Sequence, residues 1–140
     1  MAMLLSLPIT TALTSQRSAP LQLRDGPCES IALQANFTYG SGGTTATAWV
    51  QTSFDDGATW SDVANFSFTT ASGRAAQNVS ALTAILAATS LTSGSLASNT
   101  ATSGLIGGLW SVLYTTTGTY AGGTVLRIDA QPNRGRLVLR

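Results

Sequence analysis

The chain has 140 residues, a length that fits one domain with a single hydrophobic core. Seven basic and six acidic residues leave a net charge of +1, so the charge provides no basis for binding nucleic acid. Histidine is absent and Cys28 is the only cysteine, which excludes histidine-dependent catalysis, an internal disulfide and a multi-cysteine metal site. Charged residues form only 9% of the chain, a composition that favours a protein assembled with partners.

The first 20 residues predict an N-terminal arm or edge strand, followed by a domain at residues 21–140. Residues 4–13 are apolar, but no basic residue precedes them and Pro8 interrupts the run, unlike a secretory signal peptide. No apolar run approaches the roughly 20 residues of a membrane span. Leu4, Leu5 and Leu7 are therefore expected to contact partner proteins.

Two strands are predicted between the N-terminal arm and the glycine-rich turn at residues 40–43. Residues 21–23 predict a short strand that ends at the turn of residues 24–27. Residues 31–38 alternate between apolar and polar side chains, the pattern of a half-buried strand. Glycines at residues 40–43 predict a turn that pairs this strand, as a hairpin, with the strand containing Trp49.

Residues 53–60 match the Asp-box pattern Ser-x-Asp-x-Gly-x-Thr-Trp. The pattern predicts a tight hairpin turn, in which the carboxylate accepts backbone hydrogen bonds and the glycine adopts a positive φ. Two of the three tryptophans lie in this hairpin, so the core is expected to be built on it. The turn residues are Ser53, Asp55, Gly57, Thr59 and Trp60.

The second half of the chain predicts further strands joined by one long connection. Strands are expected at 75–82, 109–117, 124–130 and 137–139, and residues 80–89 also fit a short helix. Residues 89–104 are rich in Ser, Thr, Gly and Asn, and are expected to cross the domain or contact a partner. Arg134, Arg136 and Arg140 lie in the last seven positions and are predicted interface residues.

These elements predict an all-β protein, an antiparallel β-sandwich of jelly-roll or immunoglobulin-like type with about seven to nine short strands. Calcium binding by Asp55, Asp56 and Asp62 stays open because these carboxylates lie close in sequence. The aromatic residues leave a sugar-binding platform as an alternative, although such residues more often form core or interface. The acidic residues show no spacing that indicates an enzyme, and no cofactor is expected.

Two segments, residues 48–68 and 116–130, resemble small structural proteins of tailed-bacteriophage and prophage particles that carry a single Asp-box hairpin. The resemblance implies a virion component and brings no catalytic residues with it. After Gly107 the chain departs from the polar strand that this group leads us to expect. The apolar residues 108–113 there predict an apolar surface or interface.

The expected function is that of a structural protein of the particle, a capsid decoration or cement protein that binds the major capsid protein and copies of itself. A neck or tail component is the alternative within this class, and a carbohydrate-binding or adhesion module is the alternative outside it. A decoration protein is expected on the capsid surface of the virion, after synthesis in the bacterial host cytoplasm. No membrane or nucleic-acid partner is expected.

Overall fold

The protein is described by a computed structural model covering all residues from Met1 to Arg140. It contains twelve β-strands, and every pairing between them is antiparallel. In chain order the strands are β1 (Ala2–Pro8), β2 (Leu13–Arg17), β3 (Leu21–Arg24), β4 (Ser30–Thr38), β5 (Ser41–Gly42), β6 (Thr45–Ser53), β7 (Ser61–Phe68), β8 (Gly73–Ser80), β9 (Leu109–Thr117), β10 (Tyr120–Ala121), β11 (Val125–Pro132) and β12 (Arg136–Leu139).

The strand order is that of a jelly-roll. One sheet has the order β1-β11-β4-β8, and the larger sheet has the order β12-β3-β9-β6-β7 with β2 also paired to β9. With β2 and β3 taken as one interrupted strand and the short β5, β10 and β12 set aside, eight main strands remain. Numbered along the chain, these pair in the orders 1-8-3-6 and 2-7-4-5, which form two interlocked Greek keys. The predicted all-β sandwich is confirmed.

The strand count exceeds the predicted seven to nine because short pieces were not recognisable in the sequence. β2 and β3 both pair with β9, but residues 18–20, which end in Pro20, separate them. The positive φ of Ser15 lies within β2, where the register with β9 shifts. β5 and β10 are a two-residue ladder between distant turns. The helix considered at residues 80–89 is absent, since this stretch is irregular.

Side chains from both sheets form one core of 22 buried apolar residues. The predicted alternation in β4 is confirmed, with Ile31, Leu33, Ala35 and Phe37 each no more than 2% exposed. Because β4 lies between β11 and β8, one of its faces packs on the opposite sheet while the other faces solvent.

The hairpin predicted between β4 and β6 is wrong. β4 pairs with β11 and β8, whereas β6 pairs with β7 and β9 in the opposite sheet. The connection crosses the end of the sandwich, where Gly43 packs so closely against the ring of Tyr120 that no Cβ would fit. Glycine at this position allows two turns to approach each other closely. The chain then continues into the opposite sheet instead of forming a hairpin with β4.

The tryptophan at the centre of the core is Trp110, which is fully buried in β9. The core was expected to be built on the β6–β7 hairpin, and the strands of this hairpin supply six of the 22 core residues. Its tryptophans, Trp49 and Trp60, are only half-buried. The predicted apolar surface or interface after Gly107 is wrong, because most apolar residues of this stretch are buried within the protein. β9 lies in the interior of the larger sheet, so Trp110 and Val112 pack into the core.

The start of the chain forms an edge strand, which is one of the two forms expected for it. β1 pairs with β11, and a β-bulge between Met3 and Leu5 breaks the alternation of its side chains. As a result Leu4 and Leu5 are both buried, and both belong to the core instead of to a contact surface. Leu7 is half-buried against the same core. The chain contains no helix able to cross a membrane.

Leu4→Ala is expected to lower the free energy of unfolding by about 2–4 kcal/mol, because it opens a cavity in the core. Met3→Ala is the matched control on the same strand, since Met3 is 53% exposed, and should change it by less than about 0.5 kcal/mol. Urea denaturation of both variants measures the difference. Equal effects would show that β1 does not contribute to the core.

Trp110→Ala is expected to cost about 3–5 kcal/mol, or to prevent folding, because the whole indole is buried. Trp60→Ala should cost only about 1–2 kcal/mol, since its indole is half-buried in the turn before β7. Thermal melts compare the two. The reverse order would show that Trp60 contributes more to the packing of the protein than Trp110.

Candidate interaction surface

The Asp-box residues form the turn between β6 and β7, as predicted. Asp55 accepts hydrogen bonds from the backbone N–H of Thr59 at 2.8 Å and from its hydroxyl at 2.6 Å. The hydroxyl of Ser53 donates to Asp55 at 2.9 Å and accepts from the N–H of Gly57 at 2.9 Å. The hydroxyl of Thr59, followed by its N–H, lowers the pKa of Asp55, so the turn holds this carboxylate in its charged form.

The turn is fastened to two other parts of the chain. The guanidinium of Arg140 binds the carboxylate of Asp56 at 2.6 Å and donates to its carbonyl oxygen at 2.9 Å. The guanidinium of Arg17 lies 4.6 Å from the ring centroid of Trp60, within range of a cation–π interaction. The C-terminus and β2 therefore hold the turn in place.

Two of the three C-terminal arginines predicted to contact a partner are already paired within the chain. Arg140 is paired with Asp56, and Arg136 forms an ion pair with Asp25. Both guanidinium groups are thus neutralised by the chain's own carboxylates. Arg134 is exposed in the turn before β12. A partner would have to displace two ion pairs before it could use all three arginines.

The long connection between β8 and β9 has two parts with different roles. Residues 92–104, called here the covering segment, lie along β7 and across the outer face of the larger sheet. The N–H of Asp62 donates to the carbonyl of Thr92 at 2.7 Å, and the N–H of Asn65 donates to that of Thr100 at 2.8 Å. An isolated bridge between Ala64 and Ala101 completes this pairing. The covering segment thereby shields the edge of β7.

Asp62 is the main anchor of the covering segment and is only 4% exposed. Its carboxylate oxygens accept five hydrogen bonds of 2.7–3.1 Å, from Gln51 Nε2, Thr92 Oγ1 and the backbone N–H groups of Gly94, Ser95 and Leu96. Burial acts to raise the pKa of Asp62, but the hydrogen bonds outweigh it and the pKa is lowered. The buried negative charge is therefore fully compensated by donors.

Asn65 and Trp49 provide two further anchors. The side-chain oxygen of Asn65 accepts from the N–H of Asn99 at 3.0 Å. The indole N–H of Trp49 donates to the carbonyl of Leu96 at 3.0 Å. The covering segment thus occupies the indole N–H of Trp49 and covers part of this half-buried side chain, which makes it a poor binding platform.

Residues 82–91, before the covering segment, expose apolar side chains. Phe54 of the Asp-box turn joins them, and together they line an open groove of about 460 Å³. Leu86 is 96% exposed and Phe54 is 53% exposed, although the rest of the large apolar side chains mostly lie in the core. We call this set the apolar surface: Phe54, Ile85, Leu86 and Leu91.

Sequence reasoning missed the apolar surface. It located the contacts of the long connection at 89–104, most of which is bound to the domain itself. A signal was nevertheless present, since leucine and isoleucine recur in 82–91 without strand alternation in a Ser- and Thr-rich stretch. Apolar residues with no regular element to bury them are candidates for contact with a partner.

The other candidate sites do not assemble. Asp62 is held by the covering segment while Asp55 and Asp56 serve the turn, and no group of three acidic, cysteine or histidine side chains could hold a metal ion. Cys28 is half-buried, and its thiol donates to the carbonyl of Ser30 at 3.2 Å. Tyr120 is buried at the opposite end of the sandwich, in a cluster with Phe37, Tyr39 and Phe68.

No protein-family model, no curated protein and no solved structure matches the chain.

Asp62→Asn should lower the free energy of unfolding at neutral pH by about 2–4 kcal/mol, because an amide NH₂ then faces backbone donors. The pKa of Asp62 is lower in the folded than in the unfolded protein. Its contribution to the free energy of unfolding is therefore complete above the unfolded-state pKa of about 4, and it is lost as the pH falls below that value. The stability of wild type and variant should therefore converge in acid. Thermal melts from neutral to acidic pH measure this convergence.

Asp25→Asn serves as the control, because Asp25 forms an exposed ion pair on another loop, and should cost less than about 1 kcal/mol at neutral pH. Limited proteolysis gives a second readout, since Asp62→Asn should expose residues 92–104 to cleavage. A variant as stable and as resistant as the wild type would show that Asp62 does not anchor the segment.

Proposed function

We propose that the protein is a structural component of a tailed-phage particle, a capsid decoration protein that binds the major capsid protein. The observation that carries the proposal is the apolar surface on an otherwise well-packed domain. Burying such side chains against a partner is favourable by roughly 25 cal/mol per Å² of apolar area. A decoration protein makes such contacts many times over through the symmetry of the particle.

The fold is compatible with this role. Jelly-roll sandwiches serve as viral capsid and lectin domains, among others, so the fold by itself does not decide between them. The low charge content supports assembly, since a surface with few charges has weak protection against association. The resemblance of residues 48–68 and 116–130 to phage structural proteins supports the same class.

A glycan-binding module is the weaker candidate because the aromatic side chains are committed within the protein. Trp110 and Tyr120 are buried, Trp49 lies under the covering segment, and Trp60 is stacked against Arg17. The apolar surface is lined mainly by aliphatic residues, which do not stack on sugar rings as aromatic faces do.

We propose no catalytic role, because most of the acidic side chains are also committed to contacts within the protein. Asp25, Asp56 and Asp129 are each paired with an arginine, at Arg136, Arg140 and Arg127 respectively. Asp55 and Asp62 are taken up by hydrogen bonds that shape the turn and the covering segment. No pair of these carboxylates is left free to act as acid and base.

The role is tested by binding of the purified protein to particles that lack it. Leu86→Ser should weaken co-sedimentation about tenfold or more, because a central apolar contact is replaced by a hydroxyl. Met3→Ser is the matched control, since Met3 is 53% exposed but lies on β1, at the edge of the other sheet and without contact to the Asp-box turn. Circular dichroism should show both variants folded.

Two outcomes would contradict the proposal. Equal binding of wild type and Leu86→Ser would remove the apolar surface from the interface. Failure of the protein to appear in purified particles by mass spectrometry would remove the virion role itself. The copy number relative to the major capsid protein distinguishes a decoration protein from a neck or tail component, because a neck or tail component would be present in far fewer copies.

A further inference from the structure

The two sheets have four edges, and three of them are protected against pairing with another chain. The covering segment pairs with β7 through backbone hydrogen bonds. On the opposite side of the larger sheet, β12 has only four residues and begins at Arg136, whose charge is held there by an ion pair. β2, which pairs only with β9 on that side, has five residues, a register shift between Leu13 and Gln16, and a charge at Arg17. β1 carries a bulge between Met3 and Leu5 and ends at Pro8. Short strands, charges, bulges and proline are all features that prevent edge-to-edge association.

The fourth edge, β8, has only one of these features, a single charge. It is eight residues long and pairs with β4 in one uninterrupted register from Gly73 to Ser80. It contains no proline, and Arg74 is its only charged residue. The outer-face residues Arg74, Ala76 and Asn78 are exposed. A long, regular and nearly uncharged edge strand is suited to pairing with a further strand.

Hydrogen bonds next to β8 show which of its backbone N–H and C=O groups point toward β4 and which point away from the sheet. The N–H of Ala81 donates to the carbonyl of Glu29 at 2.8 Å, and that of Asn133 donates to the carbonyl of Ser30 at 2.9 Å. Ala81 and Glu29 thus form a hydrogen-bonded pair, and in an antiparallel ladder such pairs alternate with pairs that are not hydrogen-bonded. The backbone N–H and C=O groups of odd-numbered residues in β8 therefore point toward β4, and those of even-numbered residues point away from the sheet. The outward carbonyl of Ser80 is indeed taken by the N–H of Gly104.

Arg74, Ala76 and Asn78 therefore each direct an N–H and a C=O away from the sheet, with no backbone partner in the chain. These groups lie between the turn before Gly73 and the contact of Ser80 with Gly104. Water satisfies them in the isolated chain, while an added strand would replace water with a regular ladder.

We propose that a second copy of this chain occupies the β8 edge, antiparallel about a two-fold axis at Ala76. In that register Ala76 lies opposite Ala76 of the second copy, and Arg74 lies opposite Asn78 of the second copy. Three residue pairs that each exchange two bonds give about six backbone hydrogen bonds. The two four-stranded sheets would join into a single sheet across the axis.

The side chains at this edge favour a second copy over an unrelated strand. The only charge, Arg74, is placed opposite an amide side chain instead of opposite itself, so pairing does not oppose like charges. The two alanines at the axis introduce no steric obstacle on the outer face. A net charge of +1 causes little repulsion between copies at a distance. The pairing does not depend on the proposed function and uses a different part of the molecule from the apolar surface.

The test is sedimentation velocity of the full chain from about 1 to about 200 μM, the range in which a small interface of this kind dissociates. The wild type should show a concentration-dependent dimer. Ala76→Lys should raise the dissociation constant about tenfold or more, because two like charges then meet at the axis. Ala32→Lys is the matched control, since Ala32 is exposed on the same outer face but lies on β4, which is paired on both sides.

Hydrogen exchange measured on the same samples identifies the surface directly. In the dimer the outward N–H groups of Arg74, Ala76 and Asn78 should be protected, and their protection should fall on dilution or in Ala76→Lys. A monomeric wild type whose three amides exchange quickly would overturn the proposal. A dimer that Ala76→Lys leaves intact would overturn it as well, as would protection of the edge only upon particle binding, which would indicate a strand of another protein.

Discussion

The buried carboxylate of Asp62 is the interaction on which the surface of this protein depends. A charge that is 4% exposed is tolerated only because five donors surround it, and three of these are consecutive backbone N–H groups of the covering segment. The segment has few apolar side chains of its own to bury, so its position is determined largely by polar contacts. Without this anchor both the edge of β7 and the indole of Trp49 would be open to solvent.

The anchor divides the connection between β8 and β9 into parts with opposite properties. Residues 92–104 are held against the larger sheet, whereas residues 82–91 leave Ile85, Leu86 and Leu91 facing solvent beside Phe54. The Asp-box turn contributes to both parts. Its backbone hydrogen bonds end the β6–β7 hairpin, and its position presents Phe54 to the same groove. A rigid support for an exposed apolar surface reduces the entropy lost on binding a partner.

The four sheet edges show a similar division. Three are blocked by the covering segment, by arginine or by a bulge with proline, while β8 remains regular and accessible. The apolar surface and the β8 edge use different physical means of association, namely burial of side chains and completion of a backbone ladder. The two proposed contacts, one with a particle and one with a second copy, would therefore lie at separate sites.

Local patterns in the sequence were sufficient for several elements, including the strand predicted at residues 109–117, which is β9. The alternation of residues 31–38 predicts β4, and the Asp-box predicts the turn of residues 54–60, because in both cases the interacting groups are within a few residues of one another. The all-β class follows from several such patterns together. None of them states which strand lies beside which, and the predicted pairing of β4 with β6 was wrong for that reason.

The sequence by itself thus determined that the chain forms strands and where the Asp-box hairpin turns, since period-two alternation and turn chemistry are properties of neighbouring residues. Only the tertiary structure decided that Leu4 and Leu5 are buried, that Arg136 and Arg140 pair with Asp25 and Asp56, and that Asp62 anchors Gly94. Each of these outcomes joins groups far apart in the chain. Their meeting depends on the order of strands in two sheets, and the free energy that selects this order comes from the whole core at once.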